Sequence, residues 1–463
     1  MSWSADDVAK ATKGKTASSW QASRVVIDSR QVRPGDLFVA LSGPHFDGHD
    51  FVGQALSAGA VAAVVSKAPR GIMPQYLVEV SETLQALKDL GRFARSRSQA
   101  KIIAVGGSVG KTSTKEALKY LLSRQGKTHS TEANNNNQIG VPLTLANLPL
   151  DAQFAVIEVG TDRPGELAPL SHLSRPKVGI ITAIAPAHVE FFPSIEAMVD
   201  EEGEIFAAMG QTDTAIINRD TPFYDRLLQS AASRKIERII GFGTHPLSQA
   251  RLLAVQLQAQ GSEVEAEILG NVYKYYIGAP GHHWALNSLA ILAAVSSVGA
   301  DIEEAASSLR HVAAIAGRGQ QHRIACGEGS ILLIDESYNS NPGSLTAALQ
   351  VLAATPIESG GRRIAVLGDM LELGGKSPDY HAQFSEVIES LPIDLVFTCG
   401  RLMRYLQERL PRRLAAAYTA DSKALADELI PALRAGDVVM VKGSLGSKMQ
   451  VVVDALRTGK ELR

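Results

Sequence analysis

KIIAVGGSVGKTSTKEALKYLLS, residues 101–123, is the stretch on which the reading of this chain turns. An apolar run of β type, Ile102 to Val105, breaks at Gly106-Gly107, turns through Ser108-Val109-Gly110 and opens a helical pattern at Lys111-Thr112. Glycines there let backbone N–H groups close around phosphate oxygens, because no Cβ bars the approach. Lys111 reaches β- and γ-phosphates and the Thr112 hydroxyl suits a Mg²⁺ ion, with Gly107, Ser108, Val109, Gly110 and Ser113 completing the cradle. The loop is shorter than the common form of this motif, since only Ser108 and Val109 separate Gly107 from Gly110. A strand before it and an amphipathic helix after it (Ala117, Leu118, Leu121, Leu122) set it apart from an ordinary glycine-rich turn. The chain is therefore expected to bind and hydrolyse a nucleoside triphosphate.

A length of 463 residues predicts about three domains at roughly 150 residues each. Charge is nearly balanced, 46 basic against 48 acidic residues, without a block of one sign. That balance argues against nucleic acid or an anionic membrane as the main partner. Cys326 and Cys399 are the only cysteines, which excludes a disulfide framework and a cysteine-based metal site. The start, MSWSADDVAKATKGK, has no apolar signal region, and no run of 18 apolar residues occurs. A cytoplasmic protein without membrane insertion, and a monomer, is expected.

Along the chain the pattern divides into three α/β units, read as residues 1–98, 99–314 and 315–463. The first mixes short strands and helices around the turn Arg33-Pro34-Gly35-Asp36. In the second, continuous apolar runs at 154–159, 178–184 and 214–217 predict a doubly wound parallel sheet of the phosphate-loop type, buried on both faces. Helices are expected near 194–209 and 284–298, and alternation over 250–277 predicts a small antiparallel insert. GRGQQHR, residues 317–323, marks a hinge. SILLID, RIAVLG, LVFTCG and DVVMVKG then spell a third, Rossmann-like unit.

Doubly wound sheets place ligands outside the carboxyl ends of their strands. Glu158 and His188 both follow strands there, so each is a candidate metal ligand; a solvated carboxylate and a structural histidine are the plainer alternatives. The asparagines of TEANNNNQIG suit polar substrate contacts or tight turns equally. Asp335, Asn339 and Asn341 fall between a strand and a helix, where Asn341 or Pro342 could simply cap that helix. Lys442-Gly443-Ser444 could meet an anion or form a βα turn.

Taken together these segments resemble the Mur ligases, ATP-dependent amide-forming enzymes of peptidoglycan synthesis. The matching stretches, in the family's order over about residues 24–449, are IDSRQVRPGDLFVAL with DGHDF, GGSVGKTSTKEAL, NNQIGVPLTL, VIEVGTDRPGEL, ITAIAPAHVEFFPSIE, GEIF, GHHWALNSLAILAA, GRGQ, DESYNSNPGSL, VLGDMLELG and VKGSLGSKM. DESYNSNP with LGDMLELG points to the branch that adds D-alanyl-D-alanine to UDP-N-acetylmuramoyl-tripeptide. The resemblance implies a first domain for the UDP end, a central ATPase domain, and a third domain that brings the dipeptide. It implies phosphorylation of the tripeptide carboxylate by ATP and attack of the amine on the acyl phosphate. Lys111 and Thr112 would handle ATP and its Mg²⁺, with Glu158 and His188 as Mg²⁺ ligands. Asn287 would meet adenine; Arg318, Asp335 and Asn339 would complete the ATP pocket. Ser29 and Arg30 would contact UDP, Asn134 and Asn137 the muramoyl-peptide arm, and Lys442 and Ser444 the acceptor.

Two departures from the family pattern stand out. A lysine, carbamylated to hold a second Mg²⁺, usually precedes GEIF, and this chain has Glu202 in that slot. Either Glu202 supplies anionic oxygens directly, or it is a solvated helix residue. Trp284 stands where asparagine is common, which implies stacking on the base. Two rival readings are a folylpolyglutamate-synthase-type ligase and a phosphate-loop switch ATPase; the nucleotide-sugar segment DSRQVRPGDLFVALSGPHFDGHDF and the third α/β unit weigh against them.

Overall fold

A computed structural model describes residues 2–186 and 189–458 as a three-domain α/β fold. Lys101–Gly106 lies inside the central sheet, paired in parallel with Phe154–Glu158 on one side and Val178–Ile181 on the other. A strand in that position must be covered on both faces, and its side chains divide by the period of two. Ile103 and Val105 enter one core with Leu118, Leu121 and the helix His282–Ser297, while Ile102 and Ala104 enter a second with Val141, Leu145, Val199 and Phe206. His282–Ser297 is apolar nearly all round, as befits a helix packed between the sheet and the phosphate-loop helix Lys111–Ser123.

Among the described residues the central sheet has nine strands. From Thr128–Ser130 through Ala250–Gln258 its neighbours run parallel, and Gly261–Ile268 and Asn271–Ile277 close it antiparallel. The antiparallel stretch expected as an insert thus extends the main sheet, because Ala250 and Arg251 pair in parallel with Phe242 and Gly243. The helix expected over 194–209 is shorter, Ile195–Gly203 followed by a tight turn at Glu204–Phe206.

Among the described residues the third domain repeats the plan on six strands, with Gly329–Glu336, Val438–Lys442 and Arg363–Gly368 adjacent and parallel. In the first domain, Arg24–Val26 and Asp36–Val39 pair in parallel, so the Arg33–Asp36 turn ends a crossover and not a hairpin.

First and central domains are bolted together. The helix Thr83–Arg97 lies on the helix Gly140–Ala146, and a Cβ at Gly91 would stand 2.9 Å from the Pro142 carbonyl oxygen. Beside it the Asn147 amide acts as a surrogate strand: Oδ1 accepts from Val25 N and Nδ2 donates to Val25 O, both at 2.9 Å. Trp3 Nε1 donates to Ala146 O at 3.0 Å. Asn147→Ala should leave both Val25 groups unpaired and lower unfolding stability by about 1–3 kcal/mol, read from urea denaturation.

Candidate functional site

The phosphate loop is held from behind. Gly107 N donates to Glu202 Oε2 at 2.8 Å, and Ser108 N and Val109 N donate to Ala183 O at 2.7 and 3.3 Å. The Thr182 hydroxyl lies 2.6 Å from Val109 O and 3.0 Å from Gly106 O. Gly107 has φ +114° and a Cβ there would stand 2.4 Å from Thr182 Oγ1, so only glycine fits. Gly110, with φ +91°, packs against the Asn287 amide and opens the helix Lys111–Ser123 without a side-chain cap. The N–H groups of Gly107, Ser108 and Val109 are thus engaged within the protein, and the helix's first turn offers N–H groups that no side chain caps. With the positive end of the helix dipole they form an anion site.

Opposite stands Glu158, buried at the end of its strand. Its Oε1 accepts from Thr112 Oγ1 at 3.1 Å and from Asn136 Nδ2 at 2.9 Å. Its Oε2 is buried without a hydrogen-bond donor, 4.0 Å from Lys115 Nζ. A buried carboxylate oxygen beside a threonine hydroxyl is the hard-oxygen donor set that small divalent cations take. Among the described residues no group of three His, Cys, Asp or Glu gathers to hold a metal. Ser108 Oγ and Ser340 Oγ are also buried without a partner.

The third domain supplies the far wall of a cleft of about 460 Å³. Arg318 lies in it, its guanidinium 4.3 Å from the Tyr338 ring centre. Buried Lys442 donates to Asn339 O at 2.8 Å and pairs with Glu336 at 3.3 Å, and burial pushes its ammonium below the usual lysine range. Ser444 Oγ accepts from Leu371 N and donates to Ser340 O, tying two loops. The helix Pro342–Ala354 comes so close that a Cβ on Gly343 would sit 2.8 Å from the Ala185 Cβ and 3.7 Å from Val109 Cγ2.

The cleft thus gathers Ser108, Val109, Gly110, Lys111, Thr112, Ser113, Asn134, Asn137, Glu158, Arg318, Asn339, Lys442 and Ser444 from both domains. Asn137 Oδ1 also accepts from Gly140 N at 3.0 Å, where the helix Gly140–Ala146 begins. Asp335 lies beneath the wall, its carboxylate accepting from Gly317 N and Ser337 N, both at 3.1 Å. Asn341 caps its helix through Ser344, the plainer of the two readings. Ser29 and Arg30 lie apart in the first domain, Ser29 on Gln54 and Arg30 on Asp28. His188 lies outside the described residues. Glu202 is 5% exposed, which excludes the solvated alternative. Trp284 does not reach the cleft: it is 2% exposed in the core, and its neighbour His283 lines the wall instead.

Sequence reasoning missed Lys115, Asn136, Thr182 and His283. Lys115 carried a signal, a charge on the apolar helix stripe with Leu118 and Leu122. Nothing in a run of four asparagines distinguishes the one that meets Glu158.

Comparisons with known proteins follow the same three parts. Residues 21–97 match the Mur ligase family catalytic domain, 105–295 the Mur ligase middle domain, and 317–445 the Mur ligase glutamate ligase domain. The UDP-N-acetylmuramoyl-tripeptide–D-alanyl-D-alanine ligase of Escherichia coli (strain K12) is 35% identical over 94% of this chain and 93% of its own. A crystal structure of MurF from Acinetobacter baumannii superposes with TM-score 0.87 at 28% identity, covering 99% of each chain. MurF ligase from Thermotoga maritima in complex with ADP gives 0.80 at 26% identity, over 94% and 97%.

His283 is held neutral, chiefly by burial and then by the nearby Lys442 charge, with its pKa pushed down to about 4. In the unfolded chain it titrates near ~6.5, so that state binds the extra proton between those values. Stability gained from neutral His283 is complete above about pH 6.5 and is lost as pH falls toward 4. His283→Gln should remove on the order of 1–2 kcal/mol of the pH 7-to-5 loss, seen as a flatter urea-midpoint profile.

Proposed function

The chain belongs to the Mur ligase family and is a ligase of peptidoglycan precursors, and we propose that it joins D-alanyl-D-alanine to UDP-N-acetylmuramoyl-tripeptide at the expense of ATP. The observation that carries this reading is the uncapped turn Lys111–Ser113, with Glu158 hydrogen-bonded to its Thr112, lining a cleft whose other wall belongs to the third domain. On this reading residues 1–98 hold the UDP end through Ser29 and Arg30, residues 99–314 bind ATP, and residues 315–463 present the dipeptide.

Triphosphate, donor carboxylate and developing oxyanion must share one space, and their repulsion is the main barrier. Lys111, the N–H groups of the helix's first turn and Arg318 converge on it. Asn287 lies against Gly110, where the purine would pass. Asn134 and Asn137 orient the muramoyl-peptide arm so that a carboxylate oxygen attacks the γ-phosphorus and ADP leaves. The dipeptide amine then attacks the acyl carbon, loses a proton and expels phosphate. Lys442 and Ser444, pinned to Asn339 and Ser340, shape the acceptor side, and the walls exclude water that would hydrolyse the acyl phosphate. Mg²⁺, which Thr112 and Glu158 would hold, supplies the charge neutralisation that phosphate oxygens need. His188 would join them by the family resemblance.

Glu202 fills the lysine slot while anchoring Gly107, and its carboxylate brings negative charge to the site without carbamylation. Removing or adding bicarbonate should leave the wild-type rate unchanged; a strong dependence would count against this role.

Incubation with ATP, Mg²⁺, UDP-N-acetylmuramoyl-tripeptide and D-alanyl-D-alanine should give the UDP-pentapeptide by mass spectrometry. Label placed in the donor carboxylate as ¹⁸O should appear in phosphate. Phosphate release should require both substrates, which a switch ATPase would not show. Lys111→Ala should lower the rate by about 10²-fold or more with an unchanged circular-dichroism spectrum.

A further inference from the structure

We infer that Lys115 is a positioning residue of this reaction, setting the Asn-rich loop against the phosphate-loop helix. The inference rests on the reading that Asn134 and Asn137 hold the donor arm. Lys115 lies one turn beyond Lys111, and its side chain is 0% exposed. Its ammonium has three N–H donors and meets three acceptors: Glu116 Oε1 at 2.6 Å, Thr131 O at 3.0 Å and Ala133 O at 3.2 Å. Glu158 Oε2 lies a further step away at 4.0 Å.

An ammonium in that place gives up its hydration, and an apolar side chain of the same volume would fill the space with equal or better stability. What an apolar side chain cannot do is direct hydrogen bonds at two main-chain carbonyls. Those carbonyls flank Glu132, and Ala133 has φ +49°, a left-handed conformation that a residue with a Cβ keeps only when its surroundings enforce it. Lys115 supplies that enforcement immediately before Asn134. From there the chain passes to Asn136 on Glu158, to Asn137 on its helix, and to Asn147 on the first domain's sheet edge. One buried cation thereby fixes where the donor arm stands relative to the helix that grips the triphosphate.

The test uses the full chain with ATP, Mg²⁺, UDP-N-acetylmuramoyl-tripeptide and D-alanyl-D-alanine. Lys115→Met keeps the volume and removes the donors. Its KM for the UDP-tripeptide should rise about tenfold or more and kcat should fall similarly. The Kd of a non-hydrolysable ATP analogue should stay within about threefold of wild type, because Lys115 touches none of the loop's own groups. Lys115→Arg retains the cation in a wider head and should raise the same KM by about three- to fivefold. If the Met variant does not fold, the Arg variant decides, together with Lys115→Ala supplemented with ethylammonium, which should recover UDP-tripeptide affinity where ethanol does not. Unchanged UDP-tripeptide KM in the folded variants overturns the inference, as does an equal loss of ATP-analogue and UDP-tripeptide affinity, which marks a support of the fold alone. A wild-type chain that forms no ligated product overturns the reading of the reaction and this inference with it; a wild type that ligates while the variants keep its KM overturns the inference alone.

Discussion

At the head of the helix Lys111–Ser123 the backbone presents N–H groups that no side chain caps, at the positive end of the helix dipole and at the floor of a cleft between two domains. Such groups need an acceptor, and the surrounding protein is built to withhold one. Glu202, Ala183 and Thr182 take up the polar groups of the loop behind the turn and leave its front free. The core places this turn where a strand ends between two others, so its position is fixed by the burial of Ile102 to Val105 and not by the loop itself.

Around that fixed point the three domains are attached differently. The first is joined to the second by side-chain hydrogen bonds that imitate a strand edge, Asn147 on Val25, and by a helix contact that admits no side chain at Gly91. The third meets the second through the segment after Ile315, where Asp335 holds Gly317 N, and through the close approach of its first helix. The first two domains thus form one tightly packed body, and the far wall of the cleft comes from another.

The fold was legible because its signals are additive: apolar runs of strand length, glycine turns after them, and amphipathic helices recur three times. The phosphate loop and the carboxylate facing it were legible for the same reason, since their position after a strand is set by topology. Other features depended on geometry that no spacing encodes. Which N–H groups face the ligand depended on what lies behind the loop, a partner nearly a hundred residues away at Glu202. Trp284 and His283 differ by one helix position, which rotates one into the core and the other to the wall. The antiparallel strands joined the main sheet through two residues, Ala250 and Arg251, too short a pairing to leave a pattern.

Gly343 gives the meeting of the second and third domains an unusual property. With 2.8 Å between its missing Cβ and the Ala185 Cβ, the contact leaves no room for an added atom. A methyl group introduced there is a wedge. It would hold the second and third domains apart beside the cleft they share, so that a single carbon sets the distance between its two walls.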